Sequence, residues 1–147
     1  MKAAGYPFLG SGFHELADRL RRGRIENCPL IVGLTGSVAC GKSTLAAQLL
    51  EELSAPLTVE AMSTDGFLYP NAVLEDRSLM MRKGFPESYD AKAMAAAIAR
   101  IRLLPTEFPA HSHEIYDIDP TLARTISPPD ILVLEGLGFR PPSSGER

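Results

Sequence analysis

Residues 36–43 read Gly-Ser-Val-Ala-Cys-Gly-Lys-Ser and satisfy every fixed position of the pattern G-x-x-x-x-G-K-[ST]. The pattern has a mechanism only where a buried strand runs into the loop and a helix runs out of it. Both flanks are present. Residues 30–35, Leu-Ile-Val-Gly-Leu-Thr, have the near-continuous apolar character of a buried parallel strand. Residues 42–53 place Leu45, Leu49 and Leu53 at helical spacing. At Gly36 and Gly41 no side chain keeps the main chain from folding around phosphate oxygens. The loop N–H groups can then point inward as an anion nest, and the start of the helix adds partial positive charge. Lys42 can reach the β- and γ-phosphates of a nucleoside triphosphate, and the Ser43 hydroxyl can bind Mg²⁺. The nucleotide-binding set is thus Gly36, Ser37, Val38, Ala39, Cys40, Gly41, Lys42, Ser43 and Thr44, with ATP and Mg²⁺ as the expected cofactors.

The rest of the chain fits an α/β fold around that loop. Residues 11–22 predict an amphipathic helix with Phe13, Leu16, Ala17 and Leu20 on one face and Gly23 as its stop. Its arginines, Arg19, Arg21 and Arg22, with Arg24 beyond, suit a solvated helix end favoured by the dipole. Residues 57–63 alternate as a second strand, which is expected to neighbour the first and to exit through Thr64-Asp65-Gly66. Residues 68–81 are irregular with short helices. Asp90 caps a helix over 91–104, whose apolar face is Met94, Ile98 and Ile101 and which Pro105 ends. Residues 106–119 read as edge strands or loop, because Pro109 cannot sit in a central strand. Ile131-Leu132-Val133-Leu134 is a fully apolar strand that ends in Glu135-Gly136. Strand, helix, strand, helix, strand makes a three-layer sandwich with a mostly parallel sheet, of the P-loop NTPase kind. The expected organisation is a helix and lead-in at 1–28, the core at 29–140 and a disordered tail at 141–147.

Composition excludes several classes. With 45% apolar and 22% charged residues the chain can build a core. A net charge of −3 argues against bulk nucleic-acid binding. Cys28 and Cys40 make no disulfide framework, and Cys40 lies inside the phosphate loop, which suits a reducing, cytoplasmic setting. No stretch approaches the length of a membrane span.

Ligands of such sheets sit beyond the carboxyl ends of the strands. Asp65 falls there, placed to take a proton from an acceptor hydroxyl, although Asp-Gly also favours turns. Glu135 falls there too, where it could hold Mg²⁺ directly or through water. His111, Ser112, His113 and Tyr116 cluster with Asp117 and Asp119. Two histidines at i, i+2 with no cysteine nearby are weak zinc spacing, so hydrogen bonding to a substrate suits the cluster better. His14 reads as a surface residue.

These residues together resemble the bacterial P-loop (type I) pantothenate kinases. The loop GSVACGKST, the segment STDGFLYPNAVLEDRSLMMRKGFPESYD at 63–90, HSHEIYD at 111–117 and DILVLEGL at 130–137 stand in family order. The resemblance implies ATP-dependent phosphorylation of pantothenate, the first committed step of coenzyme A synthesis, with coenzyme A as feedback inhibitor. It implies Lys42 and Ser43 at the phosphates and Mg²⁺, and Asp65 as the base on the pantothenate hydroxyl. His113 and Tyr116 would line the pocket shared by pantothenate and coenzyme A. The chain departs from the family pattern at Ala47, where the family carries Arg, at His111, where it carries Tyr, and at Gly138, where it carries Asn. The family's second half has no counterpart here, so the sheet is expected to be incomplete at its C-terminal end, with an edge that a homodimer would cover. Two other readings stay open: a truncated nucleotide-binding remnant that transfers nothing, and a related kinase of a nucleoside or sugar.

Overall fold

The computed structural model describes residues 11–35 and 41–136. Residues 36–40 of the loop and the tail at 141–147 therefore lie outside the described residues, as does the Lys42 side chain.

Three strands form a parallel sheet: β1 (Leu30–Leu34), β2 (Val59–Ser63) and β7 (Ile131–Glu135), in the order β1-β7-β2. The expectation that β2 adjoins β1 is corrected, because β7 lies between them. The reason is hydropathy. Residues 131–134 are fully buried, as only a strand covered on both faces and both edges can be, whereas β1 and β2 are partly exposed. The register aligns Leu34, Glu135 and Ser63 in one row at the carboxyl edge.

Helices cover both faces, which gives the three layers. α1 (Ser11–Gly23) and α2 (Lys42–Leu53) bury Phe13, Ala17, Leu49 and Leu53 against Ile131 and Val133. The opposite face of β7, Leu132 and Leu134, packs under Phe67, Tyr89, Phe108 and Ile126. Ile101 joins that layer from α4 (Ala91–Ile101). Each such fully buried side chain contributes about 1.5–3 kcal/mol. α4 begins as the sequence requires, with the Asp90 carboxylate accepting from the Ala93 N–H at 3.0 Å. It ends three residues before the expected 104.

Between β2 and β7 the chain adds a short helix, α3 (Asn71–Asp76), and two small antiparallel ribbons. β3 (Thr106–Phe108) pairs with β6 (Arg124–Ile126), and β4 (His111–Ser112) pairs with β5 (Asp117–Ile118). Pro109 follows β3 directly, as an edge position allows. β6 was not legible from the sequence, since three residues ahead of Ser127-Pro128-Pro129 give no periodicity to read.

Candidate active site

The carboxyl edge of the sheet assembles the site. α2 is entered from Gly41, its N-cap, which has φ 92°, a left-handed conformation that glycine adopts without cost. Among the described residues no side chain caps that helix start, so its first N–H groups remain available to an anion. At the second residue of α2, the Ser43 hydroxyl donates to Glu135 Oε1 at 3.2 Å. The other Glu135 oxygen, Oε2, is buried and has no hydrogen-bond partner among the described residues. Glu135 is held close because Gly136 donates its N–H to the Leu34 carbonyl at 3.0 Å and backs onto Thr64. A Cβ at Gly136 would sit 1.6 Å from Thr64 Oγ1.

Asp65 stands at the end of β2. Thr64–Phe67 form one turn of 3₁₀ helix, and Ser63 Oγ accepts from the Asp65 N–H at 3.1 Å. The turn expected of Asp-Gly is therefore present, and it aims the carboxylate into the site. Gly66 lets this turn press against the strand-end backbone, where a Cβ would lie 1.9 Å from the Pro109 carbonyl oxygen. The Tyr89 hydroxyl donates to Asp65 Oδ1 at 3.2 Å.

The cluster around residues 111–117 is a hairpin facing Asp65. Ser112 Oγ accepts from the N–H groups of Glu114 and Ile115, which closes the turn. Tyr116 has φ 52°, a strained conformation for a residue with a bulky side chain. His111 contacts His113 and Tyr116 edge to face, with centroids 5.8 and 5.6 Å apart. His113 and Tyr116 are exposed. Both His111 ring nitrogens are buried without a partner among the described residues. Burial, followed by the charge of Lys83, holds its pKa below the usual histidine range, while Asp65 opposes the shift. The imidazole is therefore neutral at neutral pH.

Sequence reasoning missed two residues here, Lys83 and Tyr89. Lys83 Nζ donates to Asn71 Oδ1 and to the Tyr116 carbonyl, both at 2.7 Å, and lies 3.8 Å from the centroid of the Tyr116 ring. Burial lowers its pKa, while the charges of Asp117 and Asp65 pull it back up. The Asp117 carboxyl is held below its ordinary value, chiefly by the Asn71 N–H at 3.0 Å. Both missed residues lie in the 63–90 segment, but their partners come from elements that no local period connects. His14 is exposed, as expected. Among the described residues no group of three or more His, Cys, Asp or Glu side chains could hold a metal ion, and no helix is long and apolar enough to cross a membrane.

No protein-family model matches the chain. Individual proteins do. The chain is 48% identical over 117 residues to the pantothenate kinase of Streptococcus mutans, a match covering 77% of this chain and 38% of that one. It is 45% identical over 129 residues to the pantothenate kinase of Cutibacterium acnes, covering 84% and 39%. The chain thus spans less than half the length of the curated relatives it matches. Among solved structures, a proposed fructose transport system kinase from Silicibacter sp. TM1040 superposes with a TM-score of 0.75 at 26% identity, over 90% of this chain and 64% of that one. A proposed uridine kinase from Bacillus stearothermophilus superposes with a TM-score of 0.62 at 21% identity, over 84% and 72%, a likeness of fold alone. Over the stretch shared with those relatives the chain is similar to bacterial pantothenate kinases, and it carries a P-loop kinase fold.

Proposed function

We propose that the chain transfers the terminal phosphoryl group of ATP to the hydroxyl of pantothenate, giving 4′-phosphopantothenate and ADP. One observation carries the reading: the uncapped start of α2, Glu135 and Asp65 stand together at the carboxyl edge of one sheet. The identity to pantothenate kinases supports the choice of acceptor.

Each residue has a task in this reading. The loop amides at 36–41 and Lys42 grip the phosphates. Ser43 and Glu135 hold Mg²⁺, a role suited to one hydroxyl and one carboxylate oxygen that has no partner among the described residues. Such a cation takes its remaining ligands from water and substrate phosphates. When bound, Mg²⁺ neutralises charge on the phosphate oxygens. Asp65 orients the acceptor hydroxyl and receives its proton. His113 and Tyr116 wall the acceptor pocket beside neutral His111, and coenzyme A competes there as inhibitor. The setting is cytoplasmic, with neither nucleic acid nor membrane as partner, and a homodimer covers an outer edge of the sheet.

ADP release with and without pantothenate tests the proposal. Pantothenate-dependent release by the wild type, lost in Asp65→Asn, is the expected result. Magnesium-dependent nucleotide binding with no stimulated turnover would overturn it in favour of a binding remnant. Turnover with uridine or a sugar alone would reassign the acceptor.

A further inference from the structure

Asp65 must do more than sit near the acceptor. A carboxylate that rotates freely divides its two oxygens between productive and idle orientations, and positioning is most of what phosphoryl transfer asks of a protein. We propose that Tyr89 is the positioning residue of the acceptor site: its hydroxyl engages Asp65 Oδ1 and leaves Oδ2 for the reacting hydroxyl. This rests on the reading of Asp65 as the base.

The support for Tyr89 is unusually complete for a residue in a turn-rich segment. It is 5% exposed, and its ring belongs to the cluster that holds Phe67, Leu68 and Leu134. Its backbone pairs with Leu68 across an antiparallel bridge. On either side the Tyr69 N–H donates to Ser88 O at 2.9 Å and the Asp90 N–H donates to Phe67 O at 2.7 Å. The strip at 88–90 is therefore tied to the chain that leaves Asp65. Ser88, itself fully buried, fixes the approach by accepting from the Gly84 N–H and donating to the Phe85 carbonyl. A ring so held has one polar atom, and that atom meets Asp65.

The phenol cannot compete for the proton. Burial first, and then the charge and hydrogen bond of Asp65, push its pKa far above that of a free tyrosine, with the nearby Thr64 hydroxyl working weakly the other way. In the transfer step the acceptor O–H bond breaks and its proton passes to Asp65 Oδ2. The acceptor oxygen joins the phosphorus, the bond from phosphorus to the ADP oxygen breaks, and the Tyr89 O–H bond stays intact. Besides Tyr89, Asp65 faces Lys83 from the preceding loop and His111 from β4, and its charge acts on both. Neither makes a hydrogen bond to it among the described residues: Lys83 Nζ donates to Asn71 and Tyr116, and both His111 nitrogens lack partners.

Tyr89→Phe keeps the ring and removes only the donor, so its melting temperature and Mg-ATP affinity should match the wild type. The Asp65 carboxylate carbon is compared by ¹³C NMR in both proteins at neutral pH, a readout that needs no turnover. Loss of the Tyr89 hydrogen bond should move its resonance. An unmoved resonance overturns the inference. In kinetics, kcat should fall about tenfold with the pantothenate KM within twofold. A rise in KM with kcat intact would make Tyr89 a binding group and overturn the positioning role. Absence of pantothenate-dependent ADP release in the wild type would instead overturn the proposed reaction, leaving the NMR resonance to decide for or against Tyr89.

Discussion

β7 carries an acid at each end, and the two live in opposite surroundings. Asp130, just before the strand, is fully engaged. Its Oδ1 accepts from Arg24 Nη1 at 2.8 Å, and its Oδ2 accepts from the Thr58 N–H at 2.9 Å and the Thr58 hydroxyl at 3.1 Å. Its own N–H donates to both the Thr58 carbonyl and the Thr58 hydroxyl. Glu135, at the other end, accepts one long bond from Ser43 and buries an oxygen with no partner among the described residues. Thr64 Oγ1 and both nitrogens of His111 share that condition at the same edge. Buried polar groups are normally paired, and leaving one unpaired costs about 1–3 kcal/mol. The amino edge of the sheet thus spends its polar groups on the fold, and the carboxyl edge leaves several without partners among the described residues, as the proposed ligand site requires.

The largest expected effect lies at the carboxyl edge. Asp65→Asn should lower pantothenate-dependent ADP release by roughly 10²–10⁴, or about 3–5 kcal/mol of barrier. Its urea midpoint should barely move, since a 3₁₀ turn started by Ser63 survives the change. Initial rates within tenfold of wild type would mean that this edge is no more than packing.

Next comes a test of how rigidly that edge is built. Gly66→Ala would drive a methyl group to 1.9 Å from the Pro109 carbonyl oxygen, a main-chain atom with no rotamer to yield. We expect a loss of about 3 kcal/mol or more, read from urea unfolding. A cost under about 1 kcal/mol would show that the Thr64–Phe67 turn and β3 can separate, and that Asp65 is loosely held.

At the amino edge, Asp130→Ala should cost roughly 2–3 kcal/mol of stability and leave Mg-ATP affinity unchanged, because it removes three hydrogen bonds and touches nothing at the site. The effect should depend on pH. The Thr58 N–H, ahead of its hydroxyl and Arg24, holds the Asp130 carboxyl below its ordinary value of 3.8. A carboxyl with a lowered folded pKa contributes stability above its unfolded value and loses it as pH falls through the folded one. The gap between wild type and variant should therefore be full at neutral pH and narrow below about pH 4.

The same contrast explains what the sequence could and could not announce. α2, Asp65 at its strand end and the central apolar strand were legible because each is written in consecutive residues: a loop pattern, an exit turn, four apolar residues in a row. The strand order was not, because hydropathy ranks strands by burial only once all three are compared. Lys83 and Tyr89 were not, because a lysine that meets Asn71 and Tyr116, and a tyrosine that meets Asp65 24 residues away, follow no repeat. Arg24, read as part of a solvated basic run, is the partner of Asp130 106 residues on. Long-range polar contacts are the blind spot at both edges of the sheet.

The smallest expected effect is the sharpest test of the comparison, because its sign is the reverse of that at Asp130. Glu135→Gln preserves the size of the side chain and an acceptor for the Ser43 hydroxyl, and removes a charge from a site where one oxygen is buried without a partner among the described residues. A group that costs desolvation and recovers little should be missed little by the fold. The variant should match or exceed wild-type stability by up to about 1 kcal/mol in magnesium-free buffer. Titration of Mg-ATP by calorimetry should show weaker binding by roughly tenfold, since the hard cation loses its charged oxygen ligand. Stability lost on the scale expected at Asp130, with nucleotide binding intact, would mean that Glu135 serves the fold as Asp130 does, and the two ends of β7 would then be alike.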